Sequence, residues 1–180
     1  MKKVILTLAA VLCCASLFTS CKKDSGSQSG GTGTAAYVVM SVKIPCTANM
    51  LEYTNMSISY EAGNEKNTET VTGSSWSKEF KVKLPGTIKI DRTVTLRDDR
   101  AIPADDSFTY TKGYNLSWKF VDENGKDVRA GGISGIDGSS SGKGSKVKEL
   151  IEQGKLNISL NYPFDKDGNL PKSQLQPSEN

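Results

Sequence analysis

Three residues near the C-terminus, Asp165, Asp167 and Asn169, stand at the one-three-five spacing that oxygen ligands take in calcium loops. The rest of such a loop does not follow. Its sixth position is Leu170 where a glycine is needed for the turn, and its twelfth is Gln176 where a glutamate would chelate. The segment therefore reads first as a polar turn and only second as a weak calcium site. Two acidic pairs, Asp98-Asp99 and Asp105-Asp106, flank Pro103 and could supply carboxylates for metal or for acid-base hydrolysis. Adjacent acids on a loop are more often simply solvated. The glycine- and serine-rich stretch from Gly131 to Gly144 has the composition of a phosphate loop and the wrong spacing. Asp137 occupies the place of the first glycine and Gly144 follows Lys143 where Ser or Thr is required, so no nucleotide is expected there. A long loop without strand pattern, open to a binding role, is the expectation.

Histidine is absent from all 180 residues, which removes the commonest general base and the commonest transition-metal ligand. No catalytic residue and no cofactor is predicted. Trp76 lies in a polar run, Ser74-Ser75-Trp76-Ser77, whereas Trp118 sits on an alternating strand. Trp118 is predicted in the core. Trp76 is by default a core or sheet-edge residue, and if exposed beside Tyr53 or Tyr110 it would stack on a sugar ring. That makes it the candidate ligand-binding residue. A net charge of +3 is too small to imply a nucleic-acid partner.

The apolar residues are unevenly placed, with 14 in the first 20 positions and 51 in the other 160. Lys2 and Lys3 precede an apolar run from Val4 to Phe18, 15 residues long, which is short for a bilayer span and suited to a signal peptide. Phe18-Thr19-Ser20-Cys21 then resembles the lipobox of exported bacterial lipoproteins, and Cys21-Lys22-Lys23-Asp24 is similar to the start of many lipoproteins of Bacteroidota. The resemblance implies cleavage after Ser20, a diacylglyceryl thioether on Cys21 and acylation of the new amine. Two or three acyl chains hold a protein stably at a membrane. The implied address is the outer membrane, on its periplasmic or surface face. Removal of the signal takes Lys2 and Lys3 and leaves 21 basic against 20 acidic residues. It also takes Cys13 and Cys14, so Cys46 remains as the one unmodified thiol, predicted as a small apolar core residue.

The elements that must position these groups are strands. Residues 22–35, rich in Ser, Gly and Thr, form a flexible tether with a reach of roughly 20 Å. From 36 to 164 the hydrophobic period is two. Val38, Met40, Val42 and Ile44 share one face, as do Met56, Ile58 and Tyr60, then Phe80, Val82 and Leu84, then Leu156, Ile158, Leu160 and Tyr162. Ile88 and Ile90 continue in phase to Val94 and Leu96, and Arg92 at an inward phase predicts a bulge or a strand leaving the sheet. Asn124-Gly125 predicts a type I′ hairpin, and Lys146 to Gln153 a two-turn helix ended by Gly154. Seven or eight strands and one short helix predict an all-β fold, an antiparallel sandwich of immunoglobulin-like or related type, with a small barrel as the alternative. Residues 165–180 are expected to be a polar tail.

On class and address the expected function is non-enzymatic: a tethered β-domain of the cell envelope binding a partner protein or glycan. An adhesin or pilus-related component, marked by an open groove or an exchangeable edge strand, is the alternative. A carboxylate-based hydrolase ranks below both.

Overall fold

The computed structural model describes residues 33–136 and 138–171. The signal segment, Cys21, most of the tether and the tail from residue 172 lie outside the described residues. In chain order the elements are β1 (Tyr37–Pro45), α1 (Ala48–Tyr53), β2 (Thr54–Ala62), β3 (Glu65–Thr70), β4 (Ser75–Lys83), β5 (Gly86–Leu96), β6 (Ser107–Thr111), β7 (Tyr114–Val121), β8 (Asp127–Ile136), β9 (Ser139–Lys143), α2 (Gly144–Glu152) and β10 (Ile158–Phe164). One sheet has the order β4-β1-β7-β8 and a second the order β10-β5-β2-β3, with every pairing antiparallel. Both sheets are open, so the fold is a sandwich and the barrel alternative falls.

Alternation along the strands builds the core between the sheets. In β1 the register sets Met40 opposite Phe80 and Trp118, while in β5 it sets Ile90 opposite Tyr60 and Leu160. Val38, Met40 and Ile44 of the first sheet and Ile58, Ile88 and Ile90 of the second have no exposed surface. Each such side chain contributes about 1.5 to 3 kcal/mol on leaving water. The end of the sandwich reached by Pro45, Tyr114 and Ile136 is capped by the β6–β9 pair, α1 and α2. Phe108 of β6 packs on Tyr53, and α2 buries Val147 and Ile151.

Several expectations need correction. Among the described residues there are ten strands and two helices. β3 escaped because Glu65–Thr70 has no apolar residue; it is an edge strand held by its ladder to β2. The 131–145 stretch is not a loop. It forms the second half of β8, all of β9 and the start of α2. Its glycines allow close packing that other residues forbid, since a Cβ on Gly131 would lie 2.0 Å from the Trp118 carbonyl oxygen, and one on Gly132 2.4 Å from the Trp118 ring. Arg92 makes no bulge: it stays in register between Ile58 and Ile158, pointing inward at 1% exposure.

The Asn124-Gly125 hairpin forms with a different turn. A type I′ turn needs positive φ at both residues, and only Gly125 has it, at 80°. Asp122 organises the turn instead, its Oδ1 accepting from the backbone N–H of Asn124 and Lys126 at 2.9 and 2.8 Å. Residues 165–171 are also more than a tail. Leu170 packs against the core, and Arg129 donates to the Asp167 carbonyl at 2.7 Å.

Candidate functional site

The outward phase of the first sheet carries short polar side chains at its centre. Glu79, Ser41, Ser117 and Ile133 form one row across the four strands, and Ser77, Lys43 and Asn115 the next. Small residues at the middle of a twisted sheet leave a hollow, here an open concavity of about 600 Å³. That is within the range of small-ligand sites. Ser41 donates to Glu79 Oε2 at 3.2 Å, holding the carboxylate along the wall. Along the same face, nearer the start of β1, Lys81 lies 4.5 Å from the Tyr37 ring centre. Hydroxyls, an amide, a carboxylate and an ammonium thus face one hollow. They can hydrogen-bond a polar ligand or a polypeptide. No sequence motif marked them, because serine on the solvent phase of a strand is ordinary; the pairing of Ser41 with Ser117 on the two central strands is visible only once the register is known.

Trp76 takes the core place that was its default, whereas Trp118 is only partly buried. Trp76 is 7% exposed, and its Nε1 donates to Glu69 Oε2 at 2.7 Å. Its ring is covered by Tyr60 and Phe80, so the sugar-stacking role proposed from sequence is withdrawn. Trp118 is the half-buried one, at the seam between β8 and β10, with its ring against Tyr162 and Phe164. Glycines at 131 and 132 expose it where side chains would otherwise cover it. Beside it a hollow of about 240 Å³ is lined by Phe120, Arg129 and Leu170.

At the opposite seam Lys78, in the inward phase of β4, closes the gap to β3. Its ammonium lies 2.8 Å from Glu65 and 3.4 Å from Glu69, donates to the Tyr60 hydroxyl, and sits 4.2 Å from the Tyr60 ring centre. The Lys78 bond to Glu65 raises the lysine pKa and lowers that of Glu65. Glu69 is lowered chiefly by the Trp76 indole N–H, then by Tyr60. Both carboxylates are therefore held ionised, as a latch between the sheets requires and a general acid does not.

The remaining predicted groups are not brought together. Arg97 grips Asp99 through two bonds of 2.8 Å, pulling its carboxyl down to about 2, whereas Asp105 faces Lys143 at 3.8 Å. Asp165 Oδ1 accepts from the backbone N–H of Asp167 and Asn169, each at 2.8 Å, and its Oδ2 from Asn169 Nδ2 at 3.2 Å. Gly168 completes the turn at φ 74°. The calcium-like spacing is thus the spacing of an Asx-type turn, the same device that Asp122 builds. Millimolar calcium should leave the melting temperature unchanged, whereas Asp165→Ala should lower the urea midpoint of unfolding. A calcium-dependent rise of several degrees would return these residues to metal binding.

Cys46 is 6% exposed, and burial pushes its thiol up to about 11. Compared with protein-family models, with curated proteins and with solved structures, the chain matches none.

Proposed function

We propose that this chain is a non-enzymatic, lipid-tethered binding module of the bacterial cell envelope, which takes a partner protein or glycan on the outer face of its β4-β1-β7-β8 sheet. The observation that carries the reading is the concavity of about 600 Å³ lined by Ser41, Lys43, Ser77, Glu79, Asn115, Ser117 and Ile133. A hollow of that size with mixed polar groups and one apolar wall suits recognition.

The chain enters the sandwich at Gly33, beside Val128 at the start of β8, while the cap of β6, β9 and the helices lies at the other end. A tether from Cys21 would therefore hold the capped end away from the membrane. At ~3.3 Å per residue the nine residues of β1 separate the two ends by roughly 30 Å. The adhesin or pilus-related reading draws on one specific feature, the open outer edge of β8.

Fatty-acid labelling in cells should mark the wild type and spare Cys21→Ala. On a glycan array and against envelope proteins, Ser117→Trp, which fills the hollow, should lower binding at least about tenfold with the fold intact. Equal labelling of both chains would remove the anchor, and binding unchanged by the tryptophan would remove the site.

A further inference from the structure

The two sheets end in four outer strands, β4, β8, β10 and β3, each with one side lacking a ladder. A free strand edge invites pairing with another chain, and proteins guard such edges with charges or proline. Three of the four are guarded. β4 carries Lys78, Glu79, Lys81 and Lys83, β3 carries Glu65, Lys66 and Glu69, and β10 carries Pro163. The stretch of β8 from Ala130 to Ile136 reads Ala-Gly-Gly-Ile-Ser-Gly-Ile, with neither charge nor proline. Among the described residues, no backbone hydrogen bond from outside the β7 ladder reaches it.

The same stretch holds the exposed large hydrophobics of the described residues, Ile133 at 89% and Ile136 at 56%. They lie on opposite sides of the strand. Ile133 is opposite Ser117 on the outer face, while Ile136 is opposite Tyr114 on the side where the Tyr162 hydroxyl meets Ser134 at 3.5 Å. A strand added here would satisfy its main chain on β8 and rest one side chain on Ile133 and another, three residues along and on its other face, on Ile136. From these features we infer that residues 130–136 of β8 are a docking edge for an extended, uncharged segment of a partner polypeptide with one apolar side chain on each face, three positions apart. This rests on the reading of the chain as a tethered binding module.

The tether argues against a second copy as the occupant. A two-fold ladder between identical edges is antiparallel, which would point the Gly33 ends of two copies in opposite directions. One tether would then have to return along a sandwich of roughly 30 Å to reach the same membrane, well past a root-mean-square span of ~20 Å and at an entropic cost that a partner segment does not carry.

The test is capture from a displayed library of random decapeptides by the full lipidated chain in nonionic detergent. Enrichment of uncharged sequences with two apolar residues three positions apart is expected. Ile133→Lys and Ile136→Lys, both at exposed positions and checked for unchanged melting, should each reduce that capture at least tenfold. No enrichment, or enrichment indifferent to both lysines, overturns the docking edge. A dimer in sedimentation that Ile136→Lys converts to monomer also overturns it, in favour of self-pairing. Ile136 does not line the concavity, so Ile136→Lys should leave glycan-array binding at the concavity untouched; a wild type that captures peptides but binds no ligand sensitive to Ser117→Trp would instead count against the proposed site alone.

Discussion

Arg92→Ala is expected to destabilise the fold by about 3 kcal/mol or more, read from the urea midpoint. The side chain is almost fully buried in the middle of β5, with no carboxylate among its hydrogen-bond partners. Instead Nε and Nη2 donate to the Leu156 carbonyl at 3.1 and 2.5 Å, and Nη2 also donates to the Thr111 carbonyl at 3.0 Å. One guanidinium thus ties the second sheet to the end of β6 and to the turn between α2 and β10. Alanine would open a cavity and leave two carbonyls short of a donor, each worth about 1 to 3 kcal/mol when buried. Against this stands the cost of burying the charge, which pulls the guanidinium down to about 10 and leaves Nη1 without a hydrogen bond. At neutral pH the group remains charged, and its donors outweigh that cost because three bonds depend on it. Arg92→Met, which keeps most of the volume, should fall between the two and separate packing from polar pairing. An Arg92→Ala midpoint within error of the wild type would remove the clamp.

Arg92 also shows where sequence reading stops. Its inward phase was legible, yet a charge in a core position points more readily to a bulge than to burial, because its partners lie 64 and 19 residues away and are backbone carbonyls. Phase alone succeeded wherever one face is apolar throughout, as in β1 and from Met56 to Ala62 of β2. It failed for β3, whose residues face water or a charged seam, and for the Gly-Ser run of β8 and β9, where backbone packs instead of side chains. The tryptophans follow the same logic. Trp76 shares its phase with Phe80 and Val82, but Lys78 interrupts that face, and its neutralisation by Glu65 and Glu69 depends on a strand the pattern did not mark. Trp118 was correctly phased inward, yet its cover on β8 consists of glycines. The concavity depends on the order of β4, β1, β7 and β8 across the sheet, which no local pattern carries.

The second large effect is expected at Cys46. Followed on its own labelled peptide, this thiol should react with a small disulfide reagent at pH 8 at least about a hundredfold more slowly than in the urea-unfolded chain. The nucleophile is the thiolate, and burial raises the thiol from an ordinary 9.0 to about 11, with the nearby charge of Arg92 offsetting only part of the rise. Two decades less thiolate follow from ionisation alone. Exclusion of the reagent from a site beside Pro45, with Sγ directed at the Thr47 carbonyl at 3.7 Å, slows it further. The same difference sets a pH dependence of stability. Between pH 9 and 11 the unfolded thiol ionises while the folded one stays protonated, so the unfolded state is favoured as pH rises through that window. Below pH 9 the contribution is constant. Relative to Cys46→Ala, the wild type should therefore lose stability from pH 9 upward and hold it at neutral pH. A native-state rate within a few-fold of the unfolded one would show the thiol to be reachable and ionised, and would reopen a chemical role for it.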